Sequence, residues 1–360
     1  MTFTQQLHDL PQSLWLDNIT RGLLDQGTLR RYIDEFSITG LTSNPTIFDE
    51  AIGGTALYDA AIRAKARAGL AGESLFVDLA LEDLRRAADL FRPTFAKSGG
   101  MDGWVSMEVS PLLLDDANST VSVAAQIHRD ANRPNLYVKI PGTKAGLTAI
   151  EESIFDGVPI NVTLLFSSEQ HVAAAEAYMR GIERRIAAGR DPRVNSVASI
   201  FVSRWDRAVS AKVPEELRNR LGIAVAGRTY RVYRGLLESK RWRDLAAAGA
   251  REQRLLWAST GTKDPKAPES LYVEALAAPD TINTMPEKTL LAVAARGAFK
   301  GVMPQDGGDC ETVLRRFAAA GIDTDALAEQ LQLEGGQAFV KSWQELMERI
   351  AAKSQALTGT

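Results

Sequence analysis

Lys139 interrupts an otherwise apolar segment, NLYVKIPG, in which Val138 precedes it and Ile140 follows it. Side chains alternate between the two faces of a strand, so Lys139 would point away from both neighbours and into an enclosed interior. Burial in an apolar wall disfavours the ammonium and is expected to lower the pKa of Lys139. The neutral amine is the nucleophile that forms a Schiff base with a carbonyl substrate. The alternative is a lysine at a strand end whose amine reaches solvent.

Two carboxylates are candidates for moving protons in the same reaction. Asp17 follows the apolar LWL and Glu108 follows WVSM, so each comes at the end of a predicted strand. Schiff-base formation passes through a carbinolamine, which needs groups that carry protons to and from nitrogen and oxygen. Either carboxylate could instead cap a helix or pair with a cation.

Other polar residues also stand near the ends of predicted strands. They are Asn44, Asn161, Thr163, Ser199 and Ser259. Taken singly, the threonine is an ordinary strand former and the asparagines are ordinary turn or capping residues. Parallel strands covered on both sides are normally continuous apolar runs, which makes the repeated polar ending informative. The carboxyl ends of barrel strands converge on one mouth, where active sites are built.

Eight short β-branched or apolar runs alternate with longer segments of helical periodicity, which predicts parallel strands joined by crossover helices. The predicted strands cover residues 14–19, 40–44, 104–109, 136–140, 160–166, 196–202, 255–260 and 281–284. Eight strand–helix units favour a closed α/β barrel, the (β/α)8 or TIM barrel, and leave an open doubly wound sheet as the alternative.

The helical segments are longer than a simple barrel requires. Residues 168–188 have the spacing of one amphipathic crossover helix, whereas 73–95 and 215–248 are expected to carry extra rim helices. After the eighth strand, one helix is predicted from near Cys310, a second over 325–333 and a third over 338–353. No linker divides the chain, so we predict a single barrel domain over 1–360 with 310–360 as a C-terminal helical cap.

Composition argues against several classes of function. The 360 residues are 45% hydrophobic and 24% charged, with a net charge of -3, which disfavours a polyanionic partner such as nucleic acid. The basic stretch 218–243 has Glu215, Glu216, Glu238 and Asp244 within it or beside it and is interpreted as a solvated helix face. No apolar segment is long enough to span a bilayer. One cysteine excludes an internal disulfide, and the N-terminal segment lacks a signal-peptide pattern, so a cytoplasmic location is expected.

Motifs for metals and nucleotides are missing from the sequence. The histidines, His8, His128 and His171, each fall in a predicted helix and form no HxxH pair, so no metal site is expected. Neither GxGxxG nor GxxxxGK[ST] occurs. We therefore predict an enzyme without a cofactor.

Five segments occur in order on successive predicted strands: LTSNPTIF, VSMEVSP, NLYVKIPGT, INVTLLFS and ASIFVSRWD. Together they resemble the transaldolases of the pentose phosphate pathway, which are class I aldolases with an α/β-barrel fold. The likeness extends over residues 14–287, and the chain length resembles a bacterial branch of that family.

The resemblance implies roles for the candidate catalytic residues. Lys139 would form the Schiff base with the ketose. Glu108 and Thr163 would hold the water that relays protons during imine formation, and Asp17 would remove the proton from the substrate hydroxyl as the carbon–carbon bond breaks.

The resemblance also implies substrate contacts. Asn44 and Asn161, with Ser199 beside them, would bind the hydroxyls of the dihydroxyacetone unit, and Arg204 would bind the phosphate, for which its planar guanidinium is suited. Many transaldolases have a second phosphate-binding arginine soon after the serine of strand seven. Here Ser259 is followed by TGTK, so Lys263 would act instead as a point charge.

The expected reaction is reversible transfer of a dihydroxyacetone unit between sugar phosphates. The alternatives are a fructose-6-phosphate aldolase-like lyase and a non-catalytic sugar-phosphate-binding barrel. Related fructose-6-phosphate aldolases carry a tyrosine near the position of Phe201 and a glutamine in place of Glu108, so these two residues resemble the transferase. Phosphorylated sugars are the expected partners, and the chain is expected to act as a monomer or homodimer.

Overall fold

Eight parallel strands pair in sequence order, and the eighth pairs with the first, in the computed structural model of this protein, which describes residues 2–359. Positions 1 and 360 of the predicted domain lie outside the described residues. The strands are β1 (Ser13–Asp17), β2 (Ile38–Thr42), β3 (Trp104–Glu108), β4 (Leu136–Pro141), β5 (Ile160–Leu165), β6 (Ser196–Phe201), β7 (Gln253–Ala258) and β8 (Thr281–Met285). The sheet is therefore a closed barrel, as predicted, and the open-sheet alternative is wrong.

All eight predicted strands are present, with boundaries that differ by up to two residues. The strand β7 begins at Gln253, two residues before its predicted start, because Gln253 and Arg254 already pair with β6 although neither is apolar. The strand β2 begins and ends two residues earlier than predicted, since Asn44 starts the following helix. Hydrophobicity locates the strands well but does not mark where the hydrogen-bonded ladder ends.

Helices connect consecutive strands and surround the barrel. They are α1 (Phe3–Asp9), α2 (Arg21–Asp25), α3 (Thr28–Phe36), α4 (Pro45–Gly54), α5 (Asp59–Arg67), α6 (Gly72–Lys97), α7 (Ala117–Ala131), α8 (Lys144–Asp156), α9 (Ser168–Ala187), α10 (Ser203–Val209), α11 (Leu221–Glu238), α12 (Lys240–Ala247), α13 (Leu271–Ala275), α14 (Glu287–Arg296), α15 (Cys310–Ala319) and α16 (Thr324–Thr358). The predicted helix over 168–188 is α9.

The rim helices are partly where they were predicted. Residues 215–248 contain α11 and α12, as expected for extra helices. Residues 73–95 were expected to hold more than one helix, but they lie within the single helix α6, and the extra helices α4 and α5 come before it. The boundary is set upstream, where Gly69 and Gly72 have left-handed φ values of 91° and 51° and turn the chain between α5 and α6.

Large aromatic side chains fill the lower part of the barrel. The rings of Trp104 and Tyr137 stack with centroids 4.0 Å apart, and Trp15 lies 6.2 Å from Tyr137. Gly40 makes room for them, because a Cβ atom there would lie 2.7 Å from both the Trp15 indole and the Trp104 carbonyl oxygen. Residues two positions farther along these strands share the inward direction and therefore lie above this aromatic floor.

The C-terminal segment differs from its prediction. Two helices were predicted over 325–333 and 338–353, whereas α16 is one helix of 35 residues that runs through Gly335 and Gly336. A Cβ atom at Gly335 would lie 2.9 Å from Leu164 Cδ2 on the barrel, so the glycine is used for close packing and not to end the helix. The far part of α16 is fixed to α4, where Arg349 forms an ion pair with Asp49.

Two further observations bear on the excluded partners. No helix within residues 2–359 is both long and apolar enough to cross a membrane. In the basic stretch 218–243, Arg228 and Arg231 pair with Glu311, and Arg241 pairs with Glu176 and Glu183. Much of that positive charge is therefore neutralised within the chain.

Candidate active site

Lys139 points into the barrel and does not reach solvent, because the residue is only 5% exposed. Its Nζ donates a hydrogen bond of 2.9 Å to the carbonyl oxygen of Ser43. The same nitrogen lies 3.1 Å from Oε2 of Glu108, which is directly opposite Lys139 on the neighbouring strand β3. The amine is thus held between the end of β2 and β3. Among the described residues, Glu108 is the only one that pairs its carboxylate with this amine.

Glu108 and Thr163 flank Lys139 from the two neighbouring strands. Both are buried, and neither Glu108 Oε1 nor Thr163 Oγ1 has a hydrogen-bond partner among the described residues. Buried polar atoms normally have a partner, so these two oxygens are suited to a small polar group beside the amine. Burial raises the pKa of Glu108, and the positive charge of Lys139 opposes that effect.

Asp17 ends β1 and is oriented by a chain of two hydroxyl groups. Thr42 donates a hydrogen bond of 2.7 Å to Asp17 Oδ1, and Thr42 Oγ1 lies 2.8 Å from Thr284 Oγ1. Because the single hydroxyl proton of Thr42 is donated to Asp17, Thr284 must be the donor to Thr42. Burial raises the pKa of Asp17, whereas the charge of Lys139 and the Thr42 hydrogen bond act in the opposite direction.

The two asparagines of the predicted site have different surroundings. Asn161 is fully buried, donates to Ser106 Oγ at 3.2 Å and accepts from Ser199 Oγ at 2.7 Å, so it lies behind Ser199. Asn44 is the N-cap of α4, where its side-chain oxygen accepts from the Ile47 amide at 3.1 Å. The capping interpretation of Asn44 is therefore correct, and its amide nitrogen remains available for a ligand.

Arg204 lies in the first turn of α10, and aromatic rings are its main neighbours. Its guanidinium carbon is 5.0 Å from the centroid of Phe201 and 5.9 Å from that of Phe339. Within residues 2–359 it forms no ion pair, since no carboxylate oxygen lies within 4.0 Å of it. Burial lowers the pKa of Arg204, and nearby Arg207 acts in the same direction. An anion would relieve both effects.

Ser259 and Lys263 belong to the loop after β7. Ser259 has a left-handed φ of 55°, and its Oγ lies 2.9 Å from that of Ser203, next to Arg204. Lys263 is exposed and is close enough to Asp17 to lower the pKa of that carboxyl group. The loop therefore adds a serine hydroxyl and an exposed cation to the side of the site where Arg204 lies.

These groups meet at one cavity of about 130 Å³. Nine of the predicted site residues line it: Asp17, Asn44, Lys139, Thr163, Ser199, Phe201, Arg204, Ser259 and Lys263. The other two, Glu108 and Asn161, lie directly behind Lys139 and Ser199. The carboxyl ends of seven strands thus bring the amine, a carboxylate and a guanidinium to one enclosed volume.

Other lining residues were not predicted. Thr42 and Thr284 also line the cavity, and their inward position near a strand end is a signal that could have found them. Phe339 comes from α16, and the strand pattern contains no signal for it. The carbonyl oxygen of Ser43 also escapes a search by side-chain type, because it is the backbone that accepts from Lys139.

A more open cleft of about 360 Å³ adjoins the cavity and shares Lys263 with it. It is lined by Arg207, Arg218 and Tyr272, among others, but by none of Asp17, Lys139 and Thr163. The groups that can perform carbonyl chemistry therefore belong to the smaller cavity. Among the described residues, no cluster of three or more His, Cys, Asp and Glu side chains is arranged to hold a metal ion.

Comparison with known proteins identifies the family of this chain. Residues 14–350 match the family model described as transaldolase/fructose-6-phosphate aldolase, which extends past the predicted likeness into α16. A protein of Nostoc punctiforme named transaldolase 2 is 39% identical, with 96% of each chain covered. A transaldolase of Thermobifida fusca is 42% identical over 98% of this chain and 99% of its own, and one of Arthrobacter is 41% identical over 96% of each. The chain therefore belongs to the transaldolase/fructose-6-phosphate aldolase family.

Proposed function

We propose that this protein is a transaldolase, which transfers a dihydroxyacetone unit between sugar phosphates through a Schiff base on Lys139. The observation that carries the proposal is the position of the Lys139 amine, buried against Glu108 and open to a cavity whose other side holds Arg204. The donors are sedoheptulose 7-phosphate or fructose 6-phosphate, and the acceptors are glyceraldehyde 3-phosphate or erythrose 4-phosphate. The reaction belongs to the non-oxidative pentose phosphate pathway.

The first half of the reaction forms the imine. The neutral amine of Lys139 adds to the C2 carbonyl of the ketose and gives a carbinolamine. The carbinolamine hydroxyl then takes up a proton and leaves as water, and a protonated Schiff base remains. Glu108 Oε1 and Thr163 Oγ1, which lack partners within residues 2–359, are suited to hold a water that carries these protons.

The second half breaks the carbon–carbon bond. The carboxylate of Asp17 takes the proton of the C4 hydroxyl, the C3–C4 bond breaks, and its electron pair moves into the iminium to form an enamine. The C4 fragment leaves as an aldose phosphate. An acceptor aldehyde then reacts with the enamine at C3, its oxygen recovers the proton from Asp17, and water hydrolyses the new Schiff base.

The remaining residues orient the donor. Asn44 and Ser199 face the cavity and are suited to the hydroxyls of the dihydroxyacetone unit, with Asn161 fixing the Ser199 hydroxyl from behind. Arg204 and Lys263, with Ser259 between them, are suited to the terminal phosphate. We propose that the protein acts in the cytoplasm as a monomer or homodimer.

A lyase that releases dihydroxyacetone is the second candidate, because the family description covers fructose-6-phosphate aldolases as well. Glu108 and Phe201 favour transfer. The apolar ring of Phe201 lines the cavity and offers no proton to the enamine, while Glu108 is engaged with Lys139. A non-catalytic sugar-phosphate binder would have no need for Lys139, Glu108 and Asp17 around one cavity.

Borohydride trapping tests the proposal. We expect the protein treated with borohydride and fructose 6-phosphate to gain a covalent mass, which peptide mapping by mass spectrometry places on Lys139. Lys139→Ala should abolish both this adduct and turnover without unfolding the protein. Lys144→Ala is the matched control, since this exposed lysine lies five residues along the chain and outside the cavity.

The two failures of this test have different meanings. A wild-type protein that binds fructose 6-phosphate without an adduct would be a binder and not an enzyme of this class. An adduct that still forms in Lys139→Ala would mean that another lysine is the nucleophile.

A further inference from the structure

Among the described residues, Arg204 has no hydrogen-bonded neighbour that fixes its guanidinium plane. The faces of two rings lie beside it, Phe201 from β6 and Phe339 from α16. A guanidinium that binds phosphate through two parallel N–H groups needs its plane to be oriented in advance. The orientation must therefore come from packing, and half of this packing belongs to the C-terminal helix.

The same helix limits the space of Arg204 from a second direction. Gly335 lies one turn before Phe339, and a Cβ atom on it would lie 3.1 Å from Arg204 Nη1 and 2.9 Å from Leu164 Cδ2. The guanidinium thus rests against bare helix backbone at Gly335, with the ring of Phe339 beside it. A side chain at Gly335 would therefore crowd both Leu164 and the terminal nitrogen of Arg204.

Hydrogen bonds tie this stretch of α16 to the mouth of the barrel. Gln332 donates to the carbonyl oxygen of Leu164 at 2.9 Å and to that of Gly142 at 3.2 Å. Leu164 has a left-handed φ of 59°, which is unusual for a residue with a side chain and points its carbonyl out of the regular strand pairing. The helix is therefore fixed at the level of Arg204 by contacts with β5 and the loop after β4.

We infer that α16 positions Arg204 for the phosphate of the substrate, with Phe339 and Gly335 as the positioning residues. The inference rests on the proposed function, because it assigns a sugar phosphate to the cavity. Phe339 lies beside the arginine that is assigned to the phosphate, so its effect should fall on the discrimination between phosphorylated and unphosphorylated ligands. The C-terminal helix is then part of substrate recognition and not only a cap on the barrel.

Thermal-shift titration with fructose 6-phosphate, fructose and inorganic phosphate tests this inference, since the stabilisation by a ligand reports its dissociation constant without turnover. We expect Phe339→Ala to weaken the binding of fructose 6-phosphate and of inorganic phosphate about threefold to tenfold, which is the range of a partly desolvated cation–π contact. The affinity for fructose should stay within about twofold of wild type on the same scale. Phe339→Tyr keeps the ring and should restore the affinity for phosphate, whereas Phe339→Leu should not.

Two adjacent glycines provide a matched pair for the second variant. Gly335→Ala places its Cβ against Arg204, whereas Gly336→Ala places its Cβ 3.2 Å from Leu114 Cδ1 and away from Arg204. Both substitutions raise helix propensity by the same amount. We expect Gly335→Ala to lose affinity for the phosphorylated ligands in the same direction as Phe339→Ala, and Gly336→Ala to behave as wild type.

Arg204→Ala removes the guanidinium itself, so its loss of affinity for fructose 6-phosphate and inorganic phosphate sets the upper limit for the other variants. If Phe339→Ala loses affinity for fructose and for fructose 6-phosphate equally, the inference is wrong. A Gly335→Ala protein that binds phosphate as tightly as wild type would also overturn it. A wild-type protein without any preference for the phosphorylated sugar would overturn it as well, by removing the role of Arg204. Failure of the proposed function has a different signature, because the borohydride adduct would then be absent while the phosphate preference and its dependence on Phe339 persist.

Discussion

The proton of the Thr42 hydroxyl determines how Asp17 can act. Thr42 donates to Asp17 Oδ1, and Thr284 in turn donates to Thr42. This arrangement stabilises the ionised carboxylate, because an ionised oxygen accepts more strongly than a neutral one. It opposes the larger effect of burial, which raises the pKa of Asp17. Burial and the hydrogen bond from Thr42 therefore act on the pKa of Asp17 in opposite directions, and burial has the larger effect.

The pH dependence of turnover follows from these opposing effects. Asp17 must be ionised to accept the C4 proton, so activity should fall as the pH drops through its raised pKa. The acid limb of kcat/KM is therefore expected above the ordinary pKa of an aspartate. Thr42→Val removes a hydrogen bond that lowers the pKa, so the acid limb should move to higher pH. Asp17→Asn should reduce kcat by about 10²- to 10⁴-fold, the usual contribution of a positioned general base.

Thr39→Val is the control for the pH dependence of kcat/KM. Thr39 is also buried on β2, but its hydroxyl contacts the Leu14 carbonyl oxygen at 3.4 Å and not Asp17. If the acid limb moves equally in Thr39→Val and Thr42→Val, the shift is caused by a disturbance of β2 and not by loss of the hydrogen bond to Asp17.

At the scale of the elements, alternation in the strands explains why much of the cavity could be predicted. Lys139, Glu108 and Thr163 are polar residues at inward positions of mostly apolar strands, so the fold had to bring them to one mouth. The same logic does not separate a residue that lines the cavity from one directly behind it. Asn161 has inward parity as well, yet its side chain is covered by Ser199.

Helices carry less information of this kind. Phe339 lies in an amphipathic segment like many others, and only the docking of α16 onto the barrel makes it a cavity residue. The two predicted helices, 325–333 and 338–353, stop on either side of Gly335 and Gly336, and glycine is a poor helix former. Here the absence of a side chain matters more than helix propensity, because the helix must approach Leu164 and Arg204 closely at Gly335. Tertiary packing thus outweighs local propensity.

The aromatic floor of the barrel gives a prediction at this scale. Gly40→Ala would place a Cβ atom 2.7 Å from the Trp104 carbonyl oxygen and from the Trp15 ring. Backbone cannot move away cheaply, so we expect the free energy of unfolding to fall by about 1 to 3 kcal/mol, as for other overpacked cores. The midpoint of urea unfolding, followed by circular dichroism, measures the change.

Gly235→Ala is the matched control in α11. Nothing lies within 4 Å of the added Cβ atom, and alanine replaces glycine inside a helix. This variant should be more stable than wild type by up to about 1 kcal/mol. If Gly40→Ala is as stable as Gly235→Ala, Gly40 does not set the fit of the aromatic floor.

At the scale of the whole molecule, the cavity is closed by parts of the chain that are far apart in sequence. The barrel supplies the reacting groups and one aromatic wall, Phe201, whereas α16 supplies a second, Phe339. The enamine that remains on Lys139 after cleavage is lost as soon as a proton reaches C3. Apolar walls that exclude water are what such an intermediate needs to wait for an acceptor.

Aromatic walls beside the enamine predict that the acceptor controls the rate. Fructose 6-phosphate alone should be consumed slowly, and addition of erythrose 4-phosphate should accelerate its consumption and yield sedoheptulose 7-phosphate. Phe201→Tyr adds a hydroxyl proton donor to the wall of the cavity, so release of free dihydroxyacetone should rise relative to transfer. Both products are measured in the same reaction, so their ratio is independent of the fraction of folded enzyme. If the wild-type protein releases dihydroxyacetone as fast without an acceptor as with one, the walls do not protect the enamine, and the lyase is the correct member of the family for this chain.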